Sequence, residues 1–312
     1  MKTKKFVLFL AAGLAFASLP LWAEEEGITS STDMSFTVSS LPEAKLAVTQ
    51  GFVFPFLRGE NPLTAGNNVS MSVKAEISPI SLNEVTEIVW TPIAFLQVVV
   101  GERVGTGWNI NLFGGDIYGI GINREKANKS GGVEIDASPF DGVLWQVKGG
   151  GVFQFDMAAI VPGDWNHVVF RTYHEVNYAG YSRAETGESW YFENDAGENR
   201  NGWNYYGNFL LGYQMPIFLD TVGFMAETGK NLYGTENGDI WGDNLARWTL
   251  SLLCNFTVTP KFSVALITQF NTVRKFVESN SDDLFYQNRH IDDPARVLDF
   301  YRVAAIMNLK LR

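Results

Sequence analysis

The sequence predicts an all-β chain: a transmembrane antiparallel up-and-down β-barrel of about 12 strands, with 10 to 14 compatible with the pattern. Three observations lead there. The stretch LARWTLSLLCNFTVTPKFSVALITQFNTVRKFV, from Leu245 to Val277, alternates apolar Trp248, Leu250, Leu252, Cys254, Phe256 and Val258 with Arg247, Thr249, Ser251, Asn255 and Thr257. That is the period of a strand with two unlike faces. After Thr259-Pro260 the alternation resumes, with Phe262, Val264, Leu266 and Phe270 against Ser263, Gln269 and Asn271. Each run is about 13 residues, where soluble strands average about 5 to 6 and a tilted membrane strand needs roughly 9 to 11. The second observation is that comparable runs recur along the chain, joined by connections of two unlike lengths. The third is the N-terminus, which reads as an export signal.

The opening MKTKKFVLFLAAGLAFASLPLWAEEE has a basic start at Lys2, Lys4 and Lys5, an apolar run from Phe6 to Leu21 and an acidic sequel. This is the pattern of a cleaved signal peptide over residues 1–23, too short for a membrane span. Residues 24–33 are polar and read as a flexible N-terminus, leaving 34–312 as one barrel domain. The formal net charge is −10 and becomes more negative once the leader lysines are lost, which argues against nucleic acid as a partner. One cysteine, Cys254, excludes an intramolecular disulfide framework. Aromatics at 14% with 30 glycines suit strands and turns. No later stretch is apolar for the 18 or so residues that a membrane helix requires.

In order, Met34, Phe36 and Val38 mark a short strand. Lys45 to Phe56 places Leu46, Val48, Phe52, Phe54 and Phe56 opposite Lys45, Ala47, Thr49 and Gly51. The stretch RGENPLTAGNN from Arg58 is a loop by composition. Val69 to Ser78 puts Lys74 and Glu76 on one wet face, Asn83 to Trp90 is a weaker strand, and Ala94 to Val104 leaves Gln97 and Arg103 opposite Leu96, Val98 and Val100. Residues 105–141 read as a large surface loop or a segment folded into the lumen. Val143 to Met157 follows, interrupted at Gly149–Gly151, where a bulge or bend is expected. Later strands carry Arg171 and Glu175, then Asn204 and Asn208, then Glu227, then the hairpin above. The last has Tyr301, Val303, Ala305, Met307, Leu309 and Leu311 outward, with Arg302, Asn308, Lys310 and Arg312 inward.

Connections holding Pro92, Pro162, Pro216 and Pro260 are short, whereas those near 105–141, 181–202, 232–244 and 278–296 are long, and the two kinds alternate. Short turns on one side and long external loops on the other are the asymmetry of outer-membrane barrels. Trp145, Trp203, Tyr205, Trp248, Tyr301, Phe256 and Phe262 lie near strand ends, as interface girdles require. In a secreted β-sandwich, the alternative, they would be core residues. On these features the chain resembles the porin-like outer-membrane β-barrel proteins of double-membraned bacteria, and TPIAFLQVVVG from Thr91 is similar to segments of spirochaete outer-membrane proteins. The resemblance implies residence in the cell outer membrane, contact with its lipid and delivery by the barrel assembly machinery. It departs at the C-terminus, where such proteins usually end in an aromatic residue and this chain ends Leu309-Lys310-Leu311-Arg312.

The wet faces carry Lys74, Glu76, Arg103, Lys148, Asp156, Arg171, Glu175, Glu227, Arg247, Arg302 and Lys310, the candidate lumen-lining residues. They would either border an aqueous pore or pair into a network that plugs it. The first reading is therefore a porin-type channel for small hydrophilic solutes. The alternative is a non-conducting barrel serving as adhesin or structural scaffold through acidic loops. A barrel enzyme comes third, and the chain is read as no enzyme. His174 has outward parity but lacks the neighbouring serine of a lipid hydrolase, and His290 with Asp292 and Asp293 lacks a second acidic pair. Asp282-Asp283 and Asn194–Glu198 do not follow a calcium-loop pattern, and GIGIN lacks the strand-to-helix context of a phosphate loop. No cofactor or metal is expected. Parity makes one further demand: an arginine should be tolerated at Ser251 and should disrupt at Leu250.

Overall fold

The computed structural model describes residues 27–41, 43–112, 115–127, 133–193, 195, 197–232, 245–276 and 291–312. The signal peptide, residues 233–244 of the third long loop and residues 278–290 of the fourth lie outside them. The chain begins with β1 (Thr29–Ser39), β2 (Glu43–Pro55), β3 (Asn68–Ile77), β4 (Ser81–Ile93) and β5 (Leu96–Gly107). Four shorter strands follow, β6 (Asn109–Leu112), β7 (Gly115–Tyr118), β8 (Ile120–Ala127) and β9 (Val133–Asp136). Then come β10 (Leu144–Asp156), β11 (His167–Tyr181), the short β12 (Ser189–Phe192) and β13 (Asn199–Arg200), and β14 (Gly202–Gln214). The chain finishes with β15 (Leu219–Asn231), β16 (Arg247–Thr259), β17 (Phe262–Phe276) and β18 (Ile291–Lys310).

Among the described residues, twelve strands close into a barrel in the order β1-β18-β17-β16-β15-β14-β11-β10-β5-β4-β3-β2. The closing seam is antiparallel, from Asp33 opposite Lys310 to Val38 opposite Ala305. Closure pairs each wall strand on both sides, which is what a segment surrounded by hydrocarbon needs. The apolar parity faces out: Val98, Val147, Phe170, Leu211, Phe224, Leu252, Leu266 and Val303 are all exposed. Aromatics band both rims. Trp145 stacks on Tyr178 at 5.1 Å and Tyr178 meets Trp203 edge-on at 5.4 Å at one end, and Phe153 meets Phe95 at 6.0 Å and Phe218 meets Phe256 at 5.5 Å at the other. Rings that are half apolar and half polar settle at such levels.

Several boundaries differ from the periodicity. The first strand starts at Thr29, inside the segment 24–33 expected to be flexible, because residues 29–33 pair with Thr49–Val53 of β2. The weak strand at Asn83 runs the full width, Ser81–Ile93. The last strand begins at Ile291, shortening the loop expected over 278–296. Gly149–Gly151 carry no bulge: they pair in unbroken register with Val176, Glu175 and His174. Gly150 faces in, and a Cβ there would lie 2.9 Å from that of Glu175, so the glycines make room and do not bend the strand. The alternation of short and long connections also lapses early. At the loop end β2 begins at Glu43 soon after β1 ends at Ser39, and β4 at Ser81 soon after β3 ends at Ile77, whereas 56–67 form the longest connection at the turn end.

Candidate functional site

The two long segments after β5 and β11 pair with each other. Strands β8 and β12 pair, Ile120 opposite Phe192 and Ile122 opposite Trp190, within a four-stranded sheet β13-β12-β8-β9. Ile120 and Ile122 are 0% exposed and cluster with Leu144, Tyr181, Trp190 and Phe192. The described parts of 105–141 and 181–202 together form a lid at the loop end of the barrel. Local chemistry makes the seat. Gly119 approaches the Ile80 carbonyl so closely that a Cβ would collide with it, and the Trp108 N–H donates to the same carbonyl at 2.9 Å. Asn201 stitches the root of the second segment, accepting from the Tyr181 N–H at 2.7 Å and from Trp190 Nε1 at 3.1 Å.

Below and beside the lid, charges from several strands meet. Lys74 bonds Glu76 at 2.8 Å, Glu76 lies 3.8 Å from Arg103, and Arg103 lies 3.8 Å from Glu193, which Lys45 reaches at 2.8 Å. The Arg103 guanidinium also sits 4.9 Å over the Phe192 ring. Lys148 pairs with Glu87 and lies 3.8 Å from Glu175, whose other partners are the Tyr173 hydroxyl and Asn177 Nδ2 at 2.9 Å. Arg302 pairs with Glu43 and donates to Gln269 at 2.6 Å. Arg247 donates to Asn231 at 3.5 Å and Glu227 accepts from the Tyr206 hydroxyl. Arg296 anchors Glu198 of the lid at 2.7 Å. Charges of both signs at such short range neutralise one another, which offsets part of the cost of removing them from water.

Three of the eleven candidate residues fall outside this network. Asp156 is at the turn rim, where it accepts from the Ala158 N–H at 3.0 Å, capping a 3-10 turn (Met157–Ala159), and pairs with His167 at 2.7 Å. Arg171 lies 5.9 Å from the Tyr173 ring, and Lys310 is exposed at the turn rim. The sequence reading missed Glu43, Glu87, Glu193, Glu198 and Arg296. Strand parity was signal enough for Glu43, which shares a face with Lys45, whereas Glu87 sits between Val85 and Val89 on its face and the alternation there hides it; Glu193 and Glu198 are brought to the wall by the lid, and no period points to them.

In the lid, Asp195 accepts from Asn199 Nδ2 at 2.5 Å and from the backbone N–H groups of Gly197 at 2.8 Å and Phe192 at 3.2 Å. Burial opposes the charge on Glu193, yet Lys45 and Arg103 outweigh it and hold that carboxyl below its ordinary range. Under the lid lies a cavity of about 1290 Å³ bordered by Lys45, Glu193, Glu227, Arg247, Arg296 and Arg302. Farther down, the inner face is smaller and less charged, with Ser70, Ser72, Thr49, Asn255, Ser263 and Asn308. On the outer face, both ring nitrogens of His174 are engaged, one with Tyr205 at 2.6 Å and one with Thr172 at 2.8 Å. The three polar groups satisfy one another at the lipid-facing wall. His290 lies outside the described residues, as do Asp282, Asp283 and Asn194.

A closed barrel with an apolar exterior, aromatic rims and a charged, lidded interior defines the class: an outer-membrane β-barrel protein. No family model and no curated protein matches the sequence. Among solved structures the chain is similar to the KdgM porin in complex with disordered oligogalacturonate, at 11% identity over 91% of this chain and 100% of that one, TM-score 0.36. It is also similar to the NanC porin, at 6% identity over 89% and 98%, TM-score 0.41. A third is the beta domain of the Bordetella autotransporter BrkA, at 10% identity over 91% and 98%, TM-score 0.38. Identity and TM-score are too low for any of these to say what this chain carries.

Proposed function

We propose that the protein is a porin-type channel for small hydrophilic solutes, narrowed at its loop end by the lid. The supporting observation is the cavity of about 1290 Å³ at the loop end of the barrel, where charged side chains such as Lys45, Glu227, Arg247 and Arg302 share the lining with apolar ones such as Leu41, Ile110 and Phe192. The charged part of such a lining can replace the hydration shells of ions and polar solutes. Because its cations are matched by Glu43, Glu193, Glu198 and Glu227, the vestibule gives weak preference between anions and cations. The reading involves no enzymatic step. The outer-membrane lipid contacts the exterior, and the barrel assembly machinery inserts the chain.

One observation favours a second reading, a non-conducting scaffold or adhesin: Val152 and Ser251, on the inner face, are each only 1% exposed. The bore is tightly filled there. Conductance of the refolded protein in a planar bilayer separates the two. Stepwise currents support the channel; their absence at every salt concentration, with the barrel folded, supports the scaffold.

A further inference from the structure

One side chain of the lid, Glu193, reaches across to three strands of the wall. Glu193 sits at φ 52°, a left-handed conformation unfavourable outside glycine, so its neighbours must hold it there. Its Oε2 accepts from Lys45 at 2.8 Å, and its Oε1 accepts from the Ser81 hydroxyl at 2.7 Å and from Asn83 at 3.0 Å, with Arg103 3.8 Å away. Its backbone N–H donates to the Gly119 carbonyl at 2.8 Å, joining the two halves of the lid. The segment is rooted between β11 and β14, whereas Lys45 stands on β2, five strands round the wall from β11. Ser81 and Asn83 stand on β4 and Arg103 on β5.

We propose that Glu193 is the bolt of an electrostatic latch: seated in the Lys45–Ser81–Asn83–Arg103 socket it holds the lid across the bore, and unseated it lets the lid leave the wall. Two features of the socket fit this role. It is built from four side chains of the rigid wall, and it binds a carboxylate from a segment that is not part of the wall. A second ion pair between the lid and the barrel joins Glu198 to Arg296. The groups facing the bolt are Lys45 from β2, Ser81 and Asn83 from β4 and Arg103 from β5, with Glu76 behind Arg103. Burial opposes the charge on Glu193 and the two cations sustain it, so the bolt is an ion pair across the ordinary pH range. Screening by salt weakens such contacts, since the Debye length falls from about 10 Å at 0.1 M to about 3 Å at 1 M. The effect on permeation rests on the channel reading, but the latch itself does not.

The test uses the full chain refolded in bilayers, with folding verified by heat-modifiable gel migration. Trypsin cleavage after Arg183 and Arg200, mapped by mass spectrometry, reads release of the lid without reference to conduction. Glu193→Gln should be cut at least tenfold faster than the parent protein at 0.1 M salt. Lys45→Met should act in the same direction, and the double variant should be no faster than the quicker single one, because both remove one contact. Ser81→Ala provides a milder variant in case either fails to fold. Glu193→Gln or Lys45→Met folding normally with unchanged cleavage overturns the latch. Conductance is recorded in parallel. Accelerated cleavage with no current in any variant leaves the latch standing and removes the channel, and larger currents without accelerated cleavage remove the latch and leave the channel.

Discussion

At Ser251 the inner wall has no spare room. Its hydroxyl accepts from Gln269 at 3.1 Å, Gln269 accepts from Arg302 at 2.6 Å, and Arg302 is held by Glu43. The parity of LARWTLSLL placed Ser251 inward correctly, but the expectation that an arginine would be tolerated there does not survive the packing. A new guanidinium would have to displace Gln269 and would stand beside Arg302. We expect Ser251→Arg to impair folding as much as Leu250→Arg, which puts a charge into lipid at a cost of about 2 to 4 kcal/mol. Lys310→Gln, at the open turn rim, should change stability by less than about 0.5 kcal/mol. Urea titration of folding into lipid vesicles measures all three, and a midpoint for Ser251→Arg close to that of the parent would show a roomier bore. Parity reports the side of the wall a residue is on, and nothing in a two-residue period reports what already occupies that side. The same limit hid Glu43–Arg302, whose members are 259 residues apart and meet only because the barrel closes.

At the scale of elements, the lid is where sequence and structure part most. The wall strands were legible because lipid imposes a long, regular period on one face. Strands β8 and β12 are short and pair Ile120 and Ile122 with Phe192 and Trp190, so Ile120 and Ile122 either side of Gly121, and Trp190 and Phe192, were the only trace. Gly119→Val should break this pairing by forcing a side chain onto the Ile80 carbonyl. Hydrogen exchange at the amides of β8 and β12 should then speed up while that of β10 and β11 stays slow. Equal exchange in the variant and the parent would mean that the lid tolerates the displacement. Docking should also depend on pH. Glu193, held below its ordinary value of 4.5, contributes above that value and loses its contribution as pH falls through the lowered one. The lid should therefore be better protected at pH 7 than at pH 3, measured by hydrogen exchange at the β8 and β12 amides of the folded barrel with rates corrected for the intrinsic pH dependence. Equal protection at both would contradict the hold of Lys45 and Arg103 on Glu193.

For the whole molecule, strand number and the outward face followed from the periodicity because every wall strand meets the same solvent. The early connections did not follow the expected alternation, since at the loop end β2 begins at Glu43 soon after β1 ends at Ser39, and β4 at Ser81 soon after β3 ends at Ile77, on the side to which Glu193 reaches. The segment rooted between β11 and β14, across the barrel, and the one rooted between β5 and β10, beside β4, meet over this side, so the uneven rim and the lid are one arrangement. The central claim is that the closed twelve-strand wall surrounds a bore that passes water-soluble solutes when the lid permits. Its most direct test is single-channel recording of the purified, refolded protein beside the Glu193→Gln variant. The account predicts discrete current steps in both, with larger or longer openings in the variant. Silent bilayers for both, with each barrel folded and the variant's lid cut by protease, would contradict it.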